Sequence, residues 1–181
     1  MPQSISTASS NVGFISALNE AGAYAGGYLV TNEWGRPLEF RVSARVTPNR
    51  VQRILYGETL EPYVLADLIG RNLLSKTATT VSWILTDRRA FLDLRGEIDI
   101  PLAWATDVEV EACGASPALT RVTRSGDRSV YCREDFSADI ESLQSHLACC
   151  RFDLLEPFER VICAIQESER LGGLTDAGTK A

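Results

Sequence analysis

Apolar and polar residues alternate without a break along residues 37–46, PLEFRVSARV. The apolar positions are Leu38, Phe40, Val42, Ala44 and Val46, and the polar positions are Glu39, Arg41, Ser43 and Arg45. This period of two predicts a strand with one face on a hydrophobic core and the other face turned away from it. Residues 27–32 predict a preceding strand, and the short connection at 33–36 makes the pair a β-hairpin.

Further strands are predicted on both sides of this hairpin. Residues 12–18 indicate a first strand, so that three strands should form an antiparallel meander. Residues 81–85, VSWIL, are a short apolar run typical of an interior strand. Residues 99–104 predict another strand, which Pro101 would place at an edge or at a strand start. A second hairpin is expected from residues 119–122 and 129–132.

The helices are predicted from caps and from apolar spacing. Thr47 is expected to cap a first helix that ends at Gly57, with a buried stripe of Val51, Ile54 and Leu55. A second, well-buried helix should follow a cap at Thr59. Near the C-terminus a helix is expected after a cap at Ser137, and a last helix from residue 156 to the glycines at 172–173.

These elements predict an α/β or α+β fold: a three-stranded meander, then helices and a further central strand, with the C-terminal helices packed on the sheet. We expect one globular domain over residues 11–171, a disordered tail at 1–10 and a loose tail at 172–181. A small satellite unit of hairpin and helices over residues 115–171 is the alternative.

Taken in order, strand, strand, strand, helix and strand over residues 12–87 resemble the ribonuclease H-like fold, which includes nuclease domains of excision-repair and inosine-directed endonucleases. The resemblance implies carboxylates on the first strand and on later elements that hold Mg²⁺ for phosphodiester cleavage. The first strand here, VGFISAL, has no carboxylate, whereas Glu39 and Asp87 could occupy later positions. An inactive relative used for binding fits the same element order.

Composition narrows the choice of partner and compartment. Of 181 residues, 45% are hydrophobic and 23% are charged, as in an ordinary globular protein. The net charge of −6 argues against a mainly electrostatic grip on nucleic acid or anionic lipid. No apolar run is long enough to span a bilayer. The five cysteines form no C-x-x-C pair, so we expect reduced thiols and a soluble, cytoplasmic protein.

Two polar groups could carry chemistry. Glu39, Arg41, Ser43 and Arg45 share one strand face and could bind a phosphate or carboxylate, or could simply face solvent. Asp87 directly follows the strand VSWIL, where sites gather in open α/β sheets, although a carboxylate in a turn beside arginines is the alternative.

A third group lies near the end of the predicted helix after Ser137. His146, Cys149 and Cys150 could hold a transition metal, with Cys113 as a further ligand. Packed thiols beside a partly exposed histidine are the alternative.

Trp34 stands in a predicted turn, where it could pack back on the sheet or anchor a partner. With one histidine and no familiar nucleotide-binding or hydrolase motif, the sequence favours a non-catalytic protein-interaction module without cofactor. The partner would be another protein or a second copy, and the contact surface Trp34 with the polar strand face. The alternative is a Mg²⁺-dependent nuclease that uses Glu39 and Asp87.

Overall fold

The computed structural model describes residues 11–108, 118–125 and 128–176, and this part of the chain folds around one mixed sheet of seven strands. Helices cover both faces, so the fold is α+β. The strand order across the sheet is β3-β2-β1-β4-β5-β7-β6. The strands are β1 (Val12–Glu20), β2 (Ala23–Thr31), β3 (Pro37–Val42), β4 (Trp83–Thr86), β5 (Leu102–Thr106), β6 (Leu119–Ser125) and β7 (Arg128–Arg133).

The pairing of the strands divides the sheet into two antiparallel parts around a parallel centre. β1, β2 and β3 are antiparallel neighbours, and the tight turn between β1 and β2 uses positive φ at Ala21 and Gly22. β4 runs parallel to β1 and to β5. β7 pairs antiparallel with β5 and with β6, so the predicted second hairpin extends the same sheet. The two edges of the sheet are therefore β3 and β6.

Helical segments connect the strands and form the outer layers. After β3 come α1 (Arg50–Tyr56), α2 (Leu60–Pro62) and α3 (Arg71–Ser75), with a π-helical stretch (Tyr63–Gly70) between the last two. Single 3₁₀ segments (Arg89–Gly96 and Glu134–Asp139) follow β4 and β7. The chain then forms α4 (Ile140–Cys149) and α5 (Glu156–Asp176).

Two apolar cores lie on opposite faces of the sheet because side chains alternate along each strand. Ile15, Tyr28 and Ile84 face the layer built by the π-helical stretch, whose Ile69 is fully buried. The opposite core contains residues of β1, β2 and β4 together with α4 and α5: Phe14, Leu29, Trp83, Leu85, Leu143, Phe158, Val161 and Ile165. This second core confirms that the C-terminal helices pack on the sheet.

The strand at residues 37–46 differs from its prediction. β3 ends at Val42, and both Leu38 and Val42 are exposed, with Phe40 alone packing against a core. β3 is an edge strand, and α5 packs chiefly on β1 and β2, so the described residues cover the apolar face of β3 at Phe40 and leave it open at Leu38 and Val42. Beyond it, Val46 forms an isolated bridge with Tyr24.

Several predicted helix ends were also wrong. Asn49, not Thr47, caps α1, and the Thr59 hydroxyl instead donates to the Tyr56 carbonyl. Ser137 makes no cap, because a 3₁₀ segment leads into α4. α5 continues through residues 172–173 to Asp176, since glycine costs a helix only about 1 kcal/mol per residue. The predicted tail at 1–10 lies outside the described residues.

Candidate interaction surface

The turn between β2 and β3 holds Trp34 in an exposed position. The Asn32 side-chain oxygen accepts the backbone N–H groups of Trp34 at 3.1 Å and Arg36 at 3.0 Å. Gly35 has a φ of 76°, and its carbonyl accepts a hydrogen bond from Arg160 of α5 at 2.9 Å. With the turn fixed at these points, the Trp34 side chain remains 64% exposed. A large aromatic residue on an ordered turn is a common anchor in protein interfaces.

β3 continues this surface along the edge of the sheet. The backbone N–H of Ser43 donates to the Gly26 carbonyl, on the side facing β2. Because backbone groups alternate in direction along an antiparallel strand, those of Phe40 and Val42 point away from β2, whereas a register shift at Leu38 interrupts the alternation there. Phe40 and Val42 lie at an edge where the described residues supply no further strand. Such an edge can pair with another chain.

Glu39 lies on the face of β3 opposite to Phe40, and its side chain forms hydrogen bonds within the fold. Its carboxylate accepts backbone N–H groups of Ala78 and Thr79, the latter at 2.8 Å, and pairs with Arg41 at 2.8 Å. The hydrogen bond from Thr79 is the main cause that lowers the pKa of Glu39 to about 2. This carboxylate therefore fastens the edge strand to the loop that precedes β4.

Ser43 and Arg45 are likewise committed to contacts within the chain. The Ser43 hydroxyl accepts the Gly26 N–H at 2.9 Å. The Arg45 guanidinium binds the Glu169 carboxylate at 2.9 and 2.6 Å and Glu20 at 3.1 Å. Both arginines of the predicted polar face are therefore paired with acidic residues of the same chain. The structure does not gather Glu39, Arg41, Ser43 and Arg45 into an open anion site.

The first helix contradicts its predicted buried stripe. None of its residues is buried, and Val51, Ile54 and Leu55 are 62, 71 and 76% exposed. The helix is attached by polar contacts: Arg53 donates to the carbonyls of Gly22 and Pro48 at 2.8 and 3.1 Å. A capping box between Asn49 and Gln52 closes its start. Since these polar groups hold α1 in place, its apolar side faces outward.

Exposed apolar side chains are concentrated in one segment of the sequence. Nine large ones are exposed among the described residues, and six of them lie between Trp34 and Leu55. We call these six the 34–55 surface: Trp34, Leu38, Val42, Val51, Ile54 and Leu55. They follow the β3 edge of the sheet, from the turn that carries Trp34 at one end to α1, attached at Gly22, at the other. Single exposed apolar residues are normal, whereas a series of them along an unpaired edge is a candidate interaction site. The sequence pattern had assigned five of the six to a core.

Asp87 follows β4 at the carboxyl end of the parallel strands, next to Ser16 of β1. Burial raises the pKa of Asp87, while the nearby Ser16 hydroxyl and Arg88 favour its charged form. The Ser16 hydroxyl oxygen and one Asp87 carboxylate oxygen are buried, and neither has a hydrogen-bond partner among the described residues. Asp87 lies on the same face of the sheet as Leu85, whereas Glu39 lies on the same face as Val30. The two acids are therefore on opposite faces. With about 4.8 Å per strand across three strand spacings, they cannot share one metal ion.

His146 and its neighbouring thiols form no metal site in the structure. The imidazole stacks on Trp83 with ring centroids 5.8 Å apart, and burial lowers the pKa of His146. Cys149 is exposed, whereas burial raises the pKa of Cys150 to about 11. Among the described residues no three metal-ligating side chains come together, and Cys113 lies outside them.

A cleft on the face opposite α5 was not indicated by the sequence. It has a volume of about 560 Å³ and lies between α3, the loop before β4 and residues 97–100. Tyr28 lines it, and burial raises the pKa of this tyrosine. Arg71 at its side pairs with Glu97 and Asp67, so the described lining offers few polar groups that are not already paired.

No protein-family model matches the chain, and no curated protein matches it. In the described part of the chain, no helix has the length and apolar character needed to cross a membrane.

Proposed function

We propose that this protein is a non-catalytic module that binds another protein through the 34–55 surface. The concentration of six of the nine exposed large apolar side chains in this segment carries the proposal. A solvent-exposed surface of this kind costs free energy unless a partner covers it.

The chemistry of the surface favours a protein partner. Its members are aromatic and aliphatic, and the arginines at residues 41, 45 and 53 are engaged within the chain. A nucleic-acid site would need free cations, and the net charge of −6 opposes it. Protein interfaces, in contrast, are anchored by buried aromatic and aliphatic residues with few charges at their centre.

The test compares surface variants that should leave the fold intact. We expect Trp34→Ala and Ile54→Ser/Leu55→Ser to keep the wild-type melting temperature within a few degrees and to lose association with protein. Association is measured as solution mass and as stoichiometric binding of proteins captured on the immobilised chain. Leu68→Ser is the control, because Leu68 is exposed at a separate site. Association that is equal in all variants would contradict the proposal.

A ribonuclease H-like metal-dependent nuclease is the second candidate. Its support is the strand order β3-β2-β1-β4-β5, with β1, β4 and β5 parallel, and the position of Asp87 after β4. The residues do not fit a divalent metal, because Ser16 stands on β1 beside Asp87 and Glu39 is on the other face. Two or more carboxylates on one face would be needed.

Mg²⁺ and Mn²⁺ titration separates the two candidates. We expect no rise in melting temperature and no cleavage of labelled single- or double-stranded nucleic acid with either ion. Cleavage that requires the metal and disappears in Asp87→Asn would establish the nuclease and overturn the non-catalytic assignment.

A further inference from the structure

We propose that the cleft beside α3 is a binding site for a small, uncharged and largely apolar molecule with one hydrogen-bond acceptor, to which the Tyr28 hydroxyl donates. This inference goes beyond the proposed function, because none of the described residues that line the cleft belongs to the 34–55 surface. The cleft volume of about 560 Å³ lies within the range of about 300–1,000 Å³ that is common for small-molecule sites.

The position of Tyr28 is set by the strands beneath its ring. Tyr28 of β2 pairs with Ile15 of β1, and its ring passes over Gly13, which pairs with Ile84 of β4. A Cβ atom on Gly13 would meet the Tyr28 hydroxyl oxygen, so the ring can cross β1 only because residue 13 is glycine. The ring thereby carries the hydroxyl from β2 towards the start of β4, where the loop that forms one wall of the cleft enters the sheet.

The Tyr28 hydroxyl is a buried donor without a partner in the described part of the chain. The residue is 1% exposed, and no described side chain or backbone group forms a hydrogen bond with its hydroxyl. Burial is the main cause that raises the pKa of Tyr28, and the Glu39 carboxylate raises it further, so the hydroxyl keeps its proton at neutral pH. Because buried hydroxyls in proteins nearly always have a hydrogen-bond partner, this position favours an acceptor that enters the cleft.

The rest of the described lining favours an apolar, uncharged ligand. Its charged residues, Arg71 and Glu97, pair with each other. The hydroxyls of Ser75 and Thr77 donate to backbone carbonyls of α3. A charged ligand would therefore lose its hydration without gaining an unpaired opposite charge in the described lining. The apolar residues that line the walls are Leu74, Ala78, Val81, Ile98 and Ile100.

Hydrogen bonds within the chain hold the walls of the cleft in place. The Glu39 carboxylate accepts the backbone N–H of Thr79 at 2.8 Å, which fixes the wall formed by the loop before β4. On the facing wall, Arg95 donates to the Ile98 carbonyl at 2.7 Å, and an ion pair with Asp139 at 2.6 Å holds Arg95 itself. Since none of these contacts depends on a ligand, the site is preformed, which lowers the ordering cost of binding.

Fluorescence titration of the full chain with Prodan tests the site. Prodan is a neutral dimethylaminonaphthyl ketone, so it is planar and largely apolar and carries one carbonyl acceptor, and its emission moves to shorter wavelength when it leaves water. We expect one saturable site in the wild type. Leu74→Trp enlarges a side chain of the wall and should weaken Prodan binding by about tenfold or more. Leu68→Trp, at an exposed position outside the lining, is the matched control and should bind as the wild type does.

Tyr28→Phe tests the hydrogen bond while keeping the ring that forms part of the cleft. It should weaken Prodan binding by about three- to tenfold, as expected for the loss of one neutral hydrogen bond. It should leave the affinity for 2-(dimethylamino)naphthalene, which lacks the carbonyl, within about twofold of the wild-type value. Tyr24→Phe removes a hydroxyl from the same strand outside the lining and should change neither affinity.

The outcomes separate this inference from the proposed function. Saturable Prodan binding that both Leu74→Trp and Tyr28→Phe weaken supports the site, and Tyr28→Phe alone decides if Leu74→Trp does not fold. No saturable binding, or equal affinity in the wild type and Leu74→Trp, overturns the site. Equal affinity in the wild type and Tyr28→Phe means that the hydroxyl binds solvent only, which overturns the ligand class. Loss of Prodan binding in Trp34→Ala would place the probe on the 34–55 surface, which overturns the cleft site and leaves the proposed function standing.

Discussion

The Glu39 carboxylate accepts the backbone N–H of Thr79 at 2.8 Å, which fastens the edge strand β3 to the loop before β4. Glu39→Gln should lower the free energy of unfolding by about 1–2 kcal/mol at pH 7, because an amide accepts these hydrogen bonds less strongly than a carboxylate. The pKa of Glu39 is lowered from 4.5 to about 2, so its stabilisation is present above pH 4.5 and is lost as the pH falls towards 2. Urea unfolding of both proteins at several pH values measures this.

The exposed acid Glu58 provides the control for that experiment. Glu58→Gln should leave the free energy of unfolding nearly unchanged, since Glu58 is exposed and the described structure shows it no such backbone contact. If Glu39→Gln and the wild type differ equally at pH 7 and at pH 3, the ionised carboxylate is not what stabilises the loop.

Substitution of isoleucines on two neighbouring helical segments should change stability to very different extents. Ile54 is 71% exposed on α1, and Ile54→Ser should change the free energy of unfolding by about 0.5 kcal/mol or less. Ile69 is fully buried in the π-helical stretch, and Ile69→Ala should cost about 2–5 kcal/mol. Chemical denaturation measures both values. A large loss of stability in Ile54→Ser would mean that α1 packs its apolar side on its own chain.

The sequence pattern located the centre of the sheet better than its edge. The apolar run at residues 81–85 became β4 (Trp83–Thr86), which is buried throughout between β1 and β5. A continuous apolar run needs cover on both faces, so its burial can be inferred from composition. In β3 the alternation predicted the strand correctly as far as Val42. Alternation alone does not show whether a helix covers the apolar face of the strand.

The same limit applies to α1. Val51, Ile54 and Leu55 have the spacing of a buried helix face, yet a face prepared for a partner has the same spacing. What distinguishes the two is the attachment of Arg53 to the turn between β1 and β2, a contact over 31 positions of sequence. No local pattern contains such a contact. The apolar spacing therefore identified the helix but not the direction in which its apolar side faces.

A glycine under an aromatic ring should be intolerant of substitution. A Cβ atom on Gly13 would lie 2.7 Å from ring carbons of Tyr28, which is fully packed in the core beside it. Gly13→Ala should therefore destabilise the protein by about 1–3 kcal/mol, because overpacking forces the ring or the strand to shift. Gly96→Ala is the matched control, since its Cβ would meet no atom within 4 Å. Equal melting temperatures for the two variants would show that Tyr28 moves without cost.

Asp87 should affect stability in the opposite direction to Glu39. Burial raises the pKa of Asp87 above its usual 3.8, so its contribution is fully favourable below pH 3.8 and is lost as the pH rises through the raised value. Asp87→Asn removes the buried charge and should raise the melting temperature by a few degrees at pH 7, with a smaller gain near pH 4. Asp107→Asn, at an exposed position, should show no such dependence. If Asp87→Asn instead lowers the melting temperature at pH 7, the carboxylate has a stabilising partner, and the raised pKa does not describe its native environment.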